Sequence, residues 1–263
     1  MPIKIQNTRD LLGAKLRWKV LVIAPSRIGK TTWMSTAPNL GVAACETGHG
    51  QGLSSVMTRE LDYFVPSCME DIDALASGHI FADKETIGVD SFSAVNRTII
   101  RGYAVKMPRR GVESEKRRLG IPELDDYQSM GEIARRVLTA LTNLDKNLVV
   151  TCLLKTQKNA EGSPVSCGPD LPGMMYDVAP SLFDTVLYLK ARKAFRNPSD
   201  PKSAYTQRYF ITQPDGFHVG GDRNNINGKP ILAAEEIFDI TTGQGTFPDL
   251  YAKISAAYSA LKN

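Results

Sequence analysis

The sequence predicts an α/β protein with a mainly parallel central sheet flanked by helices, and three observations carry that expectation. Apolar, β-branched runs recur along the chain with helical patterns between them, the signature of crossover units. The run 148–154 is apolar almost throughout, without alternation, which suits a strand buried on both faces. The first apolar run, 18–24, empties into a turn that closes on Gly29-Lys30-Thr31-Thr32 and then a helix.

Each element follows in order. Strand one covers about 18–24, and the helix after the turn begins near Lys30 and stops before Pro38. Strand two, 41–45, ends at Glu46 and gives way to a glycine-rich turn over 48–52. A short strand at 63–65 leads into a helix over 69–76 with Ser67 as its N-cap. Strand three is 86–89, and 92–105 repeats apolar residues at helical spacing until Met107-Pro108. Met130, Ile133, Val137, Leu138, Leu141 and Leu144 step by three and four, which puts them on one face of a helix within 125–146. Strand four, 148–154, closes in Lys155-Thr156-Gln157. Residues 158–177, rich in Gly, Pro, Ser and Asn, read as a mobile binding loop, since compact domains keep such structureless length for function. Strand five is 185–190, and 208–212 with 217–219 reads as a terminal hairpin turning at Pro214-Asp215-Gly216. A last helix covers 248–261. The domain reading is an N-terminal extension (1–16), a core (17–225) and a C-terminal segment packed on it (226–263).

Bulk properties bound the class. A chain of 263 residues suits one domain with an appendage and can bury a large core. No apolar run approaches the roughly 18 residues that span a bilayer, so no membrane role is expected. The start, Met1-Pro2-Ile3-Lys4, lacks an apolar leader, and the expectation is a cytoplasmic protein. Cys45, Cys68, Cys152 and Cys167 are widely spaced, which indicates neither a disulfide frame nor a zinc site. The net charge of +4 is modest but uneven. Between Lys106 and Arg118, the cations Lys106, Arg109, Arg110, Lys116, Arg117 and Arg118 face only Glu113 and Glu115, a local excess as large as that of the whole chain. Such a segment is either a solvated charge run or a nucleic-acid contact.

The residues that point to chemistry cluster around the first turn. A triphosphate needs converging backbone N–H groups, a flexible cation and a hydroxyl for Mg²⁺. Pro25-Ser26-Arg27-Ile28-Gly29-Lys30-Thr31-Thr32 supplies them: Gly29 for close backbone approach, Lys30 for the β/γ-oxygens, Thr31 for the metal. The pattern asks for glycine where this chain has Ala24, so the tight turn is expected later, at Pro25-Ser26. Asp90 ends an apolar strand at the edge where ligands bind in open α/β sheets, and fits a second Mg²⁺-organising position; a helix N-cap is the plainer reading. Glu46 ends another strand and can orient and deprotonate an attacking water, or simply stand solvated beside the glycine turn. One of Lys155, Thr156 and Gln157 is placed to sense a γ-phosphate. Arg223 is either an arginine finger for a neighbouring subunit or a turn residue.

Taken in order, the phosphate loop, Glu46, Val89-Asp90-Ser91 and the polar end of strand four resemble a RecA-like ATPase core. Within that superfamily the chain is similar to phage-encoded ATPases of the Sak type, over about residues 17–225. The resemblance implies ATP and Mg²⁺ as cofactors, Glu46 as the catalytic carboxylate, and action in DNA annealing or recombination in a host cytoplasm. It implies single-stranded DNA as a partner, held by 106–118 and by the stretch 158–177, which opens with Lys158. A homo-oligomer, ring or filament, follows from the same likeness, with a single-strand-binding protein as a further candidate partner. The chain departs from the family at Ala24, at Leu154-Lys155 where a histidine is frequent, and at Gly221-Asp222-Arg223, where only the arginine of a Lys-x-Arg element remains. Two other classes share the phosphate loop: a nucleoside or nucleotide kinase, for which Arg109, Arg110, Arg117 and Arg118 would be a lid, and a nucleotide-gated packaging or replication accessory without useful hydrolysis.

Overall fold

The structure is a computed structural model, and it describes residues 16–46, 51–107 and 121–261. In chain order the elements are β1 (Lys19–Ala24), α1 (Lys30–Met34), β2 (Leu40–Ala44), β3 (Asp62–Phe64), α2 (Met69–Ala76) and β4 (Thr86–Asp90). Helix α3 then runs through Phe92–Val95, a π-wound Asn96–Ile100 and Arg101–Ala104. The remainder comprises α4 (Leu124–Thr142), β5 (Asn147–Lys158), β6 (Pro164–Pro169), α5 (Met175–Ser181), β7 (Thr185–Phe195), β8 (Ala204–Ile211), β9 (Asn225–Ile226), β10 (Lys229–Pro230), β11 (Glu235–Phe238) and α6 (Phe247–Ser259).

The main sheet has the order β11-β8-β7-β1-β5-β4-β2-β3, with β7 through β3 all parallel. β5 lies between β1 and β4, so the strand bearing the phosphate loop and the strand bearing Asp90 are not neighbours. This is the RecA-like arrangement. β1 is buried along its whole length, and its residues alternate between two cores. Leu21 and Ile23 pack with α2, α3, α4 and α5, while Val20, Val22 and Ala24 pack with α1 and α6. The second core holds an aromatic group: Trp18, Trp33 and Phe247 meet with ring centroids 5.0 to 6.3 Å apart, and Phe210 lies against Trp33. Trp33 is on α1, directly after the phosphate loop, and donates to the Gly245 carbonyl at 2.8 Å. The C-terminal segment therefore braces the helix behind the loop, and it also supplies edge strand β11. Among the described residues no helix is long and apolar enough to cross a membrane.

Several expectations are corrected. The stretch 158–177 is not a structureless loop: β6 folds back antiparallel on the far end of β5, and α5 follows. Its Pro164 and Pro169 are tolerated because they stand at the two ends of β6, clear of the bridge its Cys167 makes to His218. The hairpin joining 208–212 to 217–219 does not form. β8 pairs with β7 and β11, while the backbone of Phe217 and Val219 bonds Cys167 of β6. The C-terminal hairpin is instead β9–β10, turning at Asn227-Gly228, both left-handed. Strand five extends to Phe195, well beyond 190. The N-cap of α2 is Cys68 rather than Ser67, because the Asp71 carboxylate accepts from the amides of both and fixes the turn one residue later.

Candidate functional site

The phosphate loop opens at the carboxyl edge of the parallel strands. Its tight backbone falls at Arg27 (φ 62°) and Gly29 (φ 112°), not at Pro25-Ser26, so Ala24 simply completes β1 in extended conformation. At Gly29 the left-handed backbone explains the glycine. Gly29 also caps α1 with no side chain, which leaves the helix's first N–H groups facing the loop.

A cavity of about 550 Å³ lies over this turn, lined by Ser26, Arg27, Gly29, Lys30, Thr31 and Thr32 together with Glu46, Gly52, Ser54, Ser55 and Arg208. Pro25 and Ile28 do not line it. Pro25 and Ala24 turn their carbonyls to the Lys30 ammonium, at 2.8 and 3.3 Å, and Ile28 packs toward the core. Burial pushes the Lys30 ammonium below its usual range, and the nearby carboxylates of Asp90 and Glu46 pull it back. Lys30 is thus an almost buried cation whose partners are neutral carbonyls it can exchange for anionic oxygens.

Asp90 is 3% exposed and accepts two hydroxyl hydrogen bonds of 2.5 Å, from Thr31 Oγ1 to Oδ2 and from Thr151 Oγ1 to Oδ1. β5 carries Thr151 into register beside β4, so each Asp90 oxygen has its own donor. Hard oxygen donors of this kind fit Mg²⁺, which keeps most of its shell as water and phosphate oxygen. Among the described residues no group of three His, Cys, Asp or Glu side chains could hold a metal alone. Thr31 and Asp90 would accordingly hold the ion with the nucleotide's help.

Glu46 stands two residues past the end of β2, where the Asp90 carbonyl accepts from the Cys45 and Glu46 amides at 2.7 and 3.3 Å. This brings Glu46 to the same rim as Lys30 and Thr31. A Cβ added at Gly52 would touch the Glu46 side chain at 3.4 Å, so that glycine leaves the carboxylate room.

Other sequence-named residues lie elsewhere. Lys155, Thr156 and Gln157 are on the β5–β6 hairpin and do not line the cavity; Thr156 meets Cys167 Sγ at 3.3 Å, and Gln157 accepts from Ser166 at 3.3 Å. Arg223 donates to the Ser181 carbonyl at 2.7 Å and lines a separate hollow with Asp177 and Pro214. Lys106 and Lys158 are exposed. Arg109, Arg110, Lys116, Arg117 and Arg118 fall outside the described residues, as does most of the glycine-rich turn over 48–52. Cys152 is buried, and burial holds its thiol up at about 12, while burial also raises Cys45. Both are inert thiols.

Ser54, Ser55, Thr151 and Arg208 belong to the site without standing out in the sequence. Thr151 hides in an apolar run, where a lone hydroxyl was the only signal. Arg208 is 180 positions from the loop, yet its Nε donates to the Ile28 carbonyl at 2.8 Å, and it would sit 3.3 Å from a Cβ at Gly29. It brings a second cation to the cavity that no local pattern announces.

The chain matches the family described as "AAA domain" over residues 16–224. No curated protein matches it. Among solved structures it is similar to the flagellar accessory protein FlaH from Methanocaldococcus jannaschii, at 11% identity and a TM-score of 0.39, covering 90% of this chain and 93% of that one. Since the family match spans well over half of the sequence and encloses every residue lining the phosphate cavity, the chain belongs to the AAA domain family of P-loop ATPases.

Proposed function

We propose that this protein is a Mg²⁺-dependent ATPase of phage type that binds single-stranded DNA and couples nucleotide state to a recombination or annealing assembly of several copies. The observation that carries the ATPase part is that Lys30, Thr31 and Glu46 line one cavity while Asp90, bonded to Thr31, stands behind it, all four placed by the carboxyl ends of β1, β2 and β4. Bound Mg²⁺ would supply neutralisation of phosphate charge from the Thr31 and Asp90 position. Lys30 binds the terminal phosphate oxygens in place of the Ala24 and Pro25 carbonyls, and Arg208 adds charge from the side. Glu46 orients a water and takes its proton. The DNA part rests on the basic segment 106–118 and on exposed Lys106 and Lys158. Arg223 is proposed to act on a neighbouring copy.

The test is ATP turnover by the purified protein with and without single-stranded DNA, for wild type and Glu46→Gln. The reading expects stimulation by DNA and a loss of about 100-fold or more in Glu46→Gln, as removal of a general base gives. Turnover only with a nucleoside or nucleotide acceptor would make the protein a kinase. Equal, negligible turnover in both forms would make it a nucleotide-gated accessory.

A further inference from the structure

Beyond Tyr188, β7 leaves its partner β1, and above Arg208 β8 leaves β11; from there to the tip the two strands pair only with each other. The result is a two-stranded arm, Lys190 opposite Tyr209 at its root and Phe195 opposite Ala204 near its end. Its length is roughly 20 Å at the usual rise per residue. Because β7 runs parallel to β1, the arm projects from the same edge on which the phosphate loop opens.

The arm's chemistry is lopsided. From 190 to 209 it bears six cations, Lys190, Arg192, Lys193, Arg196, Lys202 and Arg208, against one acid, Asp200. Asp200 is occupied in the tip turn, where its carboxylate accepts from the Lys202 amide at 2.8 Å. Arg192 pairs with Glu235, whereas Lys190, Lys193, Arg196 and Lys202 make no ion pair among the described residues. Aromatic rings stand between these charges. Phe195 and Tyr205 are 41% and 38% exposed, far more than an interior role requires. Arg192 lies 4.4 Å from the centre of the Tyr209 ring, Lys193 5.2 Å from that of Phe195 and Arg196 5.9 Å from that of Tyr205, so cations and rings are interleaved along the arm.

We propose that this arm is a single-strand-binding element, its cations on the phosphates of single-stranded DNA and its exposed rings stacked on bases. This deepens the function proposed above and rests on it, but moves a principal contact to residues 190–207. A positive track set with aromatic platforms is what an unpaired strand needs, since every base offers a ring face to stack on and every nucleotide a charge. A protein partner would use the rings but would need an acidic face to match this charge, whereas every single strand carries a phosphate per nucleotide. The root of the arm is Arg208 on the phosphate loop, which places bound DNA next to the nucleotide site.

The experiment is fluorescence anisotropy with a labelled oligo-dT strand, in Mg²⁺ and a non-hydrolysable ATP analogue, across a salt series. Wild type is compared with Lys193→Ala/Arg196→Ala/Lys202→Ala, with Tyr205→Ala, and with Arg109→Ala/Arg110→Ala/Arg117→Ala/Arg118→Ala. Basal ATP turnover, which none of the arm residues tested serves, reports that each variant is folded. The triple arm variant is expected to bind at least tenfold more weakly, with the slope of log affinity against log salt reduced by about 2, as the loss of three phosphate contacts predicts. Tyr205→Ala is expected to lose about tenfold with an unchanged slope, because stacking releases no counterions. Wild-type affinity and slope in the triple variant, with the 109–118 variant impaired, would overturn the arm and leave the DNA-binding function standing. Wild type failing to bind the strand would overturn both. Loss of self-association in the triple variant, with DNA binding intact, would reassign the arm to a second copy of the chain.

Discussion

Thr151→Val is the perturbation that probes the site most finely. The substitution keeps the side-chain volume of a fully buried position and removes only the hydroxyl that donates to Asp90 Oδ1 at 2.5 Å. A hydrogen bond to a charged acceptor contributes about 1.5–3 kcal/mol, and with Asp90 only 3% exposed, little water is at hand to replace it. Folding stability should therefore fall by about 2 kcal/mol, measured by urea unfolding. The functional effect is separate. Asp90 keeps its bond from Thr31 but loses the contact that fixes its orientation, a change that typically weakens metal affinity about 10–100-fold. In a Mg²⁺ titration of ATP turnover the midpoint should rise by that factor, with the maximal rate recovered at high Mg²⁺ and both effects reversed in Thr151→Ser. A wild-type Mg²⁺ midpoint alongside reduced stability would show that Thr151 only packs the sheet, and the reasoning would fail.

Two further outcomes follow from packing and charge. A Cβ at Gly41 would lie 2.4 Å from the Phe81 ring, so Gly41→Ala should cost about 1–3 kcal/mol in urea unfolding; an unmoved midpoint would contradict the contact. Burial disfavours the Asp215 carboxylate, but the amides of His218 and Phe217 and the His218 ring outweigh it and hold the group at about 2, against a usual 3.8. Its stabilisation is complete above pH 4 or so and is lost as pH falls through about 2. With the carboxylate 44% exposed, the discounted contribution is about 1 kcal/mol, so the deficit of Asp215→Asn should shrink over that interval rather than persist.

The parts of the fold legible in the sequence are those buried on both faces. β1, β4 and the first half of β5 read as nearly continuous apolar runs because no solvent face interrupts them, and Asp90 stands out as the charge that ends one. Gly29-Lys30-Thr31 was legible because backbone geometry and phosphate chemistry both constrain it. The arm was invisible for the opposite reason. Beyond Lys190 most of its side chains meet solvent, so backbone pairing and a few polar and ring contacts across the strands hold it and no periodicity records it. Proline and glycine concealed β6, where an edge strand accepts what a central one rejects. Asn227-Gly228 is as readable a turn signal as Pro214-Asp215-Gly216, whose Asp215 does bond the amides of Phe217 and His218 without reversing a strand pair. Arg208 had no local signal, because its place at the loop exists only once β8 is docked.

The central claim is that Lys30 and its loop grip a nucleotide's terminal phosphates. Isothermal titration calorimetry of Mg²⁺ with a non-hydrolysable ATP analogue, on wild type and Lys30→Ala with matching circular dichroism, addresses it directly. The structure predicts saturable uptake of one nucleotide per chain in wild type and its loss in the variant. No uptake by wild type, or equal uptake by both, would contradict it.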